Sequence, residues 1–197
     1  EKFADLRAEL EKASRYIHIQ YYIIKNDEVF GSLLPILLKK AAQGVEIRIL
    51  YDGMGGRFMP KRTWERLRKA GVKTAVFFPP FLGRLNLRVN YRNHRKIVVI
   101  DGRVGYVGGF NIGKEYISKD PKFGYWRDTH LKLRGEAVLG LQLRFAQDWN
   151  YASGENLFRD MSYFKEEGLP LPADSLLEGV GIQIISSGPD TQTRQIR

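Results

Sequence analysis

Two short β-branched runs joined by a tight turn constrain the fold of this chain more than any other feature. Ile97–Ile100 reads Ile-Val-Val-Ile, and an apolar, β-branched run of this length predicts a buried strand. Asp101-Gly102 follows as a hairpin-turn signal, and residues 104–107 predict the partner strand running back. The centre of the chain is therefore predicted to be a β-hairpin.

Polar side chains suited to binding phosphate lie where the two strands of this hairpin meet the rest of the chain. His94 and Lys96 precede the first strand, and strand alternation places them on one face, about 7 Å apart along the backbone. Gly108 and Gly109 follow the second strand, where backbone N–H groups can approach an anion closely. Asn111 adds a side-chain donor. The pattern predicts a phosphate cradle at one end of the hairpin.

These residue types favour phosphodiester transfer through a phosphohistidine. The neutral imidazole of His94 is nucleophilic near neutral pH and can form a covalent intermediate. The ammonium of Lys96 offsets the phosphate charge and stabilises the transition state. A second acid must protonate the leaving alkoxide, and no residue near His94 in the sequence is suited to that role. The chemistry requires no metal ion and no other cofactor.

The residues from His94 to Asn111 follow the pattern H-x-K-x4-D and then G-G-x-N, which resembles the HKD motif of the phospholipase D superfamily. In many members a serine occupies the position of Gly109, so a hydroxyl contact is missing here. Segments along the rest of the chain resemble the N-terminal catalytic half of bacterial cardiolipin synthases. These segments are residues 20–24, 44–55, 123–130 and 143–151.

The resemblance implies a reaction, a set of partners and a location. Two HKD halves form one active site, in which one histidine attacks phosphorus and the other protonates the leaving group. A phosphatidyl group passes from one phosphatidylglycerol to another, and glycerol is released. The implied partners are an anionic phospholipid, the bacterial membrane surface and a second HKD half, from the same parent chain or from a homodimer mate. The parent protein is expected to be anchored in the cell membrane, and this chain is expected to supply one half-site as a soluble fragment.

Two other functions remain open. A phospholipase D or a phosphodiesterase nuclease would hydrolyse a phosphodiester on the same scaffold. Alternatively, this chain is a folded half that is inactive until a second HKD half is supplied. The similar segments and an apolar loop favour lipid over nucleic acid as the substrate.

The net charge of +10 implies an anionic partner, and the apolar loop indicates where that partner binds. Phe77-Phe78-Pro79-Pro80-Phe81-Leu82 precedes a row of arginines, a combination that suits a lipid headgroup boundary. In the alternative interpretation, Phe77 and Phe78 end a core strand and the arginines form a solvated face. The arginines are Arg84, Arg88, Arg92 and Arg95.

Two aspartates and two further histidines have competing interpretations. The resemblance includes Asp101 among the catalytic residues, but its place in the turn predicts that it anchors the hairpin by hydrogen bonds. Family members use a carboxylate outside the motif to orient the nucleophilic imidazole, and Asp128 stands where the next strand is predicted. An ion pair with Arg127 or another cation is the alternative for Asp128. For His18 and His130, structural roles are favoured.

The whole chain is predicted to be α/β, with a phospholipase D-like mixed sheet flanked by helices on both faces. Residues 1–152 are predicted to form the first HKD domain, 153–178 a linker, and 179–197 the start of a truncated second half. With no cysteine, the chain has neither disulfides nor cysteine metal sites. Helices are predicted at 3–13, 28–43, 60–70 and 136–149, and strands at 16–24, 45–51, 72–78, 97–100, 104–107 and about 128–133.

Overall fold

Six strands form one mixed sheet in the computed structural model, which describes residues 2–79, 92–165 and 180–186. The strands are β1 (Tyr16–Tyr21), β2 (Glu46–Asp52), β3 (Lys73–Phe77), β4 (Ile97–Ile100), β5 (Val104–Gly108) and β6 (His130–Arg134). The main helices are α1 (Lys2–Lys12), α2 (Glu28–Ala42), α3 (Lys61–Lys69) and α4 (Ala137–Ser153). Short 3-10 helices cover Gly55–Phe58, Lys114–Ile117, Leu157–Arg159 and Met161–Phe164.

The strand order is β3-β2-β1-β4-β5-β6, so the predicted hairpin lies beside the first strand of the chain. The three strands β1, β2 and β3 are parallel, as expected for strands connected through helices. The neighbouring pairs β1–β4, β4–β5 and β5–β6 are antiparallel. The central strands β1 and β4 are buried along their whole length, which explains the unbroken apolar run of β4.

Helices cover both faces of the sheet, which confirms the predicted α/β architecture. On one face, α1, α2 and α3 pack against alternate strand residues that include Ile17, Ile19, Val98 and Ile100. On the other face, α4 packs against the intervening residues. This helix buries Val138, Leu141, Phe145 and Trp149, the stripe expected from its sequence.

The boundaries of α2 follow from its capping residues. The Asp27 carboxylate accepts a hydrogen bond from the Val29 N–H at 2.9 Å, and Gly44, with φ of +85°, follows the last turn. Pro35 lies inside the helix, which therefore does not begin there.

His18 is fully buried on the face of the sheet that α4 covers. It bonds Gln142 through Nδ1 at 3.0 Å and stacks on Phe145, as expected for a core histidine.

Asp101 anchors the hairpin to the connection between α1 and β1. Both Asp101 and Gly102 have positive φ, at 54° and 70°, which turns the chain sharply between β4 and β5. The Asp101 carboxylate accepts hydrogen bonds from the N–H groups of Ser14, Arg15 and Tyr16, each at 2.8 Å, and from the Ser14 hydroxyl at 3.0 Å. Three of these four bonds satisfy consecutive backbone donors between the helix and the strand, and the fourth satisfies a hydroxyl.

The residues that follow α4 pack against the sheet for as far as the structure describes them. Leu157 is buried beside Phe145 and Trp149, and Glu155 forms an ion pair with the buried Arg48 at 2.7 Å. Residues 180–186 belong to no helix or strand, and Ile184 packs against α4. Residues 166–179 and 187–197 lie outside the described residues, so the boundaries at 152 and 178 stay predictions.

The helices in the described ranges were also compared with the requirements of a membrane span. None of them combines the length and the apolar character needed to cross a bilayer.

Candidate active site

His94 and Lys96 meet at the entrance to β4, on the face of the sheet that carries α1. The Lys96 side chain is buried, whereas His94 is exposed and lies against the ring of Tyr22, with the ring centroids 4.7 Å apart. The Lys96 Nζ is 2.8 Å from His94 Nδ1 and 3.3 Å from Nε2, and it donates to the His94 carbonyl oxygen at 2.6 Å. The structure therefore brings together the imidazole and the ammonium that the sequence predicts.

This environment keeps the imidazole neutral and makes the ammonium easier to deprotonate. Burial and the charge of Lys96 lower the pKa of His94, and the carboxylate of Asp52 partly opposes them. Burial lowers the pKa of Lys96 to about 8, while the charge of Asp128 opposes that shift. Near neutral pH the pair therefore consists of a nucleophilic imidazole and a largely charged ammonium.

A buried carboxylate from α4 holds the side chains of the residues on either side of His94. Asp148 accepts hydrogen bonds from Gln20 Nε2 at 2.6 Å and from Asn93 Nδ2 at 2.9 Å. It also accepts from Arg144 at 2.6 Å and from Arg95 at 3.1 Å. Its side chain is only 3% exposed, so these four donors compensate a charge that would otherwise be costly to bury.

Sequence reasoning did not assign Asp148 to the site. Asp148 stands 54 positions after His94 on a helix with an apolar core stripe, so no local spacing signal connects the two. Its position among apolar residues on the buried side of α4 was the available signal, because a buried carboxylate needs partners.

The predicted lipid-facing row of arginines is only partly described, and its described members point to internal carboxylates. Arg92 is 3.7 Å from Asp52, and Arg95 is 3.1 Å from Asp148. Residues 80–91, with Arg84 and Arg88, lie outside the described residues. The apolar residues Phe77 and Phe78 contact Tyr151 of α4, with ring centroids 5.1 and 5.8 Å away, which agrees with the strand-end interpretation.

Gly108, the last residue of β5, and Gly109, which follows it, allow a close approach to the segment that leads into β6. The Gly109 N–H donates to the Thr129 carbonyl oxygen at 3.0 Å, so it is not directed at an anion as predicted. A side chain on Gly109 would overlap the Asp128 carboxylate, and one on Gly108 would overlap the backbone at Thr129 and His130. Gly109 thus gives Asp128 the space that a serine at this position would take.

Asn111 is buried and holds the backbone around the site. Its Oδ1 accepts from the Ile23 N–H at 3.0 Å, and its Nδ2 donates to the Tyr116 hydroxyl at 2.7 Å. The sequence predicted that this amide binds phosphate directly. In the structure both ends of the amide already bond protein groups, because the segment after β5 pairs with the segment after β1 at the Ile24–Ile112 bridge.

Asp128 lies near the site without contacting the His94 ring. Its Oδ1 accepts from the Thr129 N–H at 2.7 Å, and its charge opposes the lowering of the pKa of both Lys96 and Lys2. The predicted hydrogen bond that would orient the imidazole is absent from the described part of the chain. An ion pair with Arg127, the alternative, is not formed within the described residues either.

Asp101 is not part of this cluster. It lies at the end of β4 opposite to His94 and Lys96, and its carboxylate bonds the start of β1. The strand separates it from His94 and Lys96, and its hydrogen bonds agree with the anchoring role, so its inclusion among the catalytic residues stays a prediction.

Comparison with known families agrees with the motif and the fold. Residues 6–130 match the family described as "Cardiolipin synthase, PLD-like domain". The chain belongs to this family. The match includes the later part of α1, the strands β1 to β5 and the start of β6, and therefore also His94, Lys96 and Asp128.

Similar proteins from bacteria have the same description. The chain is 52% identical to a cardiolipin synthase of Staphylococcus aureus, over 100% of this chain and 39% of that protein. It is 48% identical to the major cardiolipin synthase ClsA of Bacillus subtilis, over 100% of this chain and 40% of that protein. The chain thus spans about two fifths of the length of these curated relatives.

Solved structures share the fold at low sequence identity. NucT from Helicobacter pylori has a TM-score of 0.55 and 18% identity, over 76% of this chain and 87% of that chain. A polyphosphate kinase from Porphyromonas gingivalis has a TM-score of 0.52 and 13% identity, over 78% of this chain and 24% of that chain. Both comparisons support the phospholipase D-like architecture.

Proposed function

We propose that this chain is one HKD half-site of a phosphatidyltransferase of the cardiolipin synthase type. The observation that carries the proposal is the direct contact between Lys96 Nζ and the neutral imidazole of His94. Membership of the cardiolipin synthase family supports phosphatidylglycerol as the lipid, and a bacterial membrane surface as the place of action.

In the proposed first step, a ring nitrogen of His94 attacks the phosphorus of phosphatidylglycerol. A phosphorus–nitrogen bond forms, and the bond between phosphorus and the oxygen of the headgroup glycerol breaks. An acid from a second HKD half protonates this departing glycerol. In the second step, a hydroxyl of another phosphatidylglycerol attacks the phosphohistidine and gives its proton to the same group. The products are cardiolipin, glycerol and the free imidazole.

The remaining predicted site residues support this reaction in different ways. Lys96 neutralises the phosphate oxygens, and the charge of Asp128 favours the protonated form of Lys96. For Asp128 to orient His94 as well, its carboxylate must turn from the Thr129 N–H towards the ring. Asn111 holds the backbone at Ile23, next to Tyr22, whose ring lies against the nucleophile.

The second half-site is proposed to come from the same parent chain or from a homodimer mate. The chain covers about two fifths of its relatives, which is the share expected for one of two halves. Without that half, no acid is available for the leaving alkoxide, and the 197-residue chain alone is expected to be inactive at high dilution.

A His94→Asn variant of the full-length protein tests the proposal with phosphatidylglycerol vesicles and identification of the lipid products. Cardiolipin formation should fall about 10³-fold or more, because the covalent intermediate cannot form. Because His94 is exposed, the urea unfolding midpoint should stay the same, which excludes misfolding as the cause. A variant that keeps more than a tenth of the activity would rule out His94 as the nucleophile. If the wild-type protein makes phosphatidic acid as its main product, it is instead a hydrolase.

A further inference from the structure

A cavity that the proposed mechanism does not use lies beside the active site, on the α1 face of the sheet. Its volume is about 770 Å³, and it extends from the start of α1 to β5, β6 and the segment between them. Aromatic side chains form much of its wall, and charged groups are gathered at a few points. The lining residues used below are Lys2, Phe110, Asp128, His130 and Lys132.

Lys2 contributes an amino group that no carboxylate of the described residues neutralises. Its Nζ donates to the Tyr21 hydroxyl at 3.2 Å and to the Phe110 carbonyl oxygen at 3.4 Å, and it lies over the rings of Phe3 and Tyr21. Within the described ranges no Asp or Glu oxygen lies within ion-pair distance of this Nζ. The contact with Phe110 places the ammonium beside the segment that connects Gly109 to Asn111.

Lys2 and Lys96 repel each other across this segment. Burial and the charge of Lys96 lower the pKa of Lys2 to about 7, and only the charge of Asp128 opposes them. Two partly buried ammonium groups without a paired carboxylate are unfavourable in an empty site. An anion bound between them would stabilise both charges, and phosphate oxygens form strong charge-assisted hydrogen bonds with lysine.

His130 supplies two polar atoms that lack protein partners. Both ring nitrogens are buried, and neither has a hydrogen bond in the described structure. Burial and the charges of Lys2 and Lys96 lower the pKa of His130 to about 3, so the ring is neutral, with one donor and one acceptor. Buried polar atoms without partners are rare, and the His130 side chain lines a cavity with room for a ligand.

The spacing of His130 and Lys132 repeats the H-x-K pattern of the active site, but the two lysines differ. Lys132 donates to Asp5 at 2.8 Å and to Glu9 at 3.0 Å, so its charge is neutralised within the protein. Ala137 replaces the aspartate that would complete the motif. Among its described lining residues, the cavity therefore offers the Lys2 amino group and the His130 imidazole to a ligand, which is the character of a binding site.

We propose that this cavity binds the phosphate-bearing polyol headgroup of a phospholipid, in which Lys2 contacts the phosphate and His130 a headgroup hydroxyl. The inference rests on the proposed function, because it names a subsite of the same reaction. Neither residue is assigned to the site by the motif. The headgroup belongs either to the lipid under attack at His94 or to the lipid that accepts the phosphatidyl group.

Lys2→Met and Lys2→Arg variants of the full-length protein test this inference, with Lys12→Met as the matched control. Lys12 is at the other end of α1, with a side chain 67% exposed, so its removal should change no kinetic constant. Lys2→Met should raise the KM for phosphatidylglycerol about tenfold or more, since a hydrogen bond between two charged groups is lost. Lys2→Arg should stay within about threefold of wild type, because it keeps the charge and the donors.

The separate reaction steps distinguish the two lipid sources. If Lys2 binds the lipid under attack, Lys2→Met slows formation of the phosphohistidine in a single-turnover burst. If Lys2 binds the acceptor lipid, the burst is unchanged and the ratio of cardiolipin to phosphatidic acid falls. If the burst, the KM and the product ratio are all unchanged in Lys2→Met, the inference is overturned. The proposed function is tested separately by His94→Asn, and loss of activity in that variant would leave it intact.

Binding of glycerol 3-phosphate gives a readout that does not depend on turnover. Calorimetric titration should show that Lys2→Met and His130→Phe weaken binding about tenfold each, whereas Lys2→Arg and Lys12→Met do not. Equal affinities in all four variants would overturn the inference, even if His94→Asn showed that the proposed reaction is wrong. Far-ultraviolet circular dichroism of each variant shows whether the fold is retained, and the arginine variant separates loss of charge from loss of packing.

Discussion

Replacement of Asp101 by alanine separates the anchoring role of this motif residue from a catalytic one. The carboxylate is 7% exposed and accepts bonds from three consecutive backbone N–H groups and one hydroxyl. In the alanine variant these donors lose their acceptor, and an unsatisfied buried donor costs about 1–3 kcal/mol. Alanine also adopts the left-handed conformation at φ of 54° less readily than aspartate, which adds about 1 kcal/mol.

The expected loss is smaller than the sum of these contributions. Tyr16 N–H is buried, whereas the Ser14 and Arg15 donors are partly exposed and recover hydrogen bonds with water. The free energy of unfolding should therefore fall by about 3–5 kcal/mol, a large share of the stability of an ordinary domain.

Urea denaturation of the 197-residue chain, followed by circular dichroism at pH 7, measures this loss. Glu11→Ala is the control, because Glu11 forms an exposed ion pair with Lys39 and its removal should cost less than about 1 kcal/mol. Asp101→Asn should lie between the two, since asparagine keeps one acceptor oxygen and tolerates positive φ. A change below about 1 kcal/mol for Asp101→Ala, together with loss of turnover in the full-length protein, would refute the anchoring role and restore a catalytic one.

Two further predictions concern the charges around the nucleophile. The pH profile of kcat/KM should decline on its alkaline side near pH 8, where Lys96 loses its proton. Lys96→Arg should move this decline to higher pH, because arginine stays protonated, and a decline that does not move would belong to another group. Gly109→Ser should reduce the free energy of unfolding by less than about 1 kcal/mol, because the exposed Asp128 side chain can rotate away. The same rotation removes the charge of Asp128 from Lys96, so the pKa of Lys96 measured by NMR should fall, and an unchanged pKa would show that Asp128 keeps its place.

The sequence by itself determined most of the secondary structure and the identity of the proposed reacting pair. Residues 97–100 and the apolar stripe of α4 follow local periodicities of two and 3.6 residues, which neighbouring positions are enough to reveal. His94 and Lys96 are two positions apart at the entrance to a strand, so their meeting also follows from local geometry. The Asp101-Gly102 turn was predictable for the same reason.

Only the tertiary structure decided which distant residues surround that pair. Asp148 holds Asn93 from α4, and Lys2 reaches the site from the start of α1, because the order of strands brings β1 beside β4. The same packing directs the Asn111 amide to Ile23 and the Gly109 N–H to Thr129, where sequence alone predicted contacts with phosphate. The hydrogen-bond partner of a side chain depends on which groups the fold brings within about 3 Å, and the spacing of residues along the chain does not predict that distance.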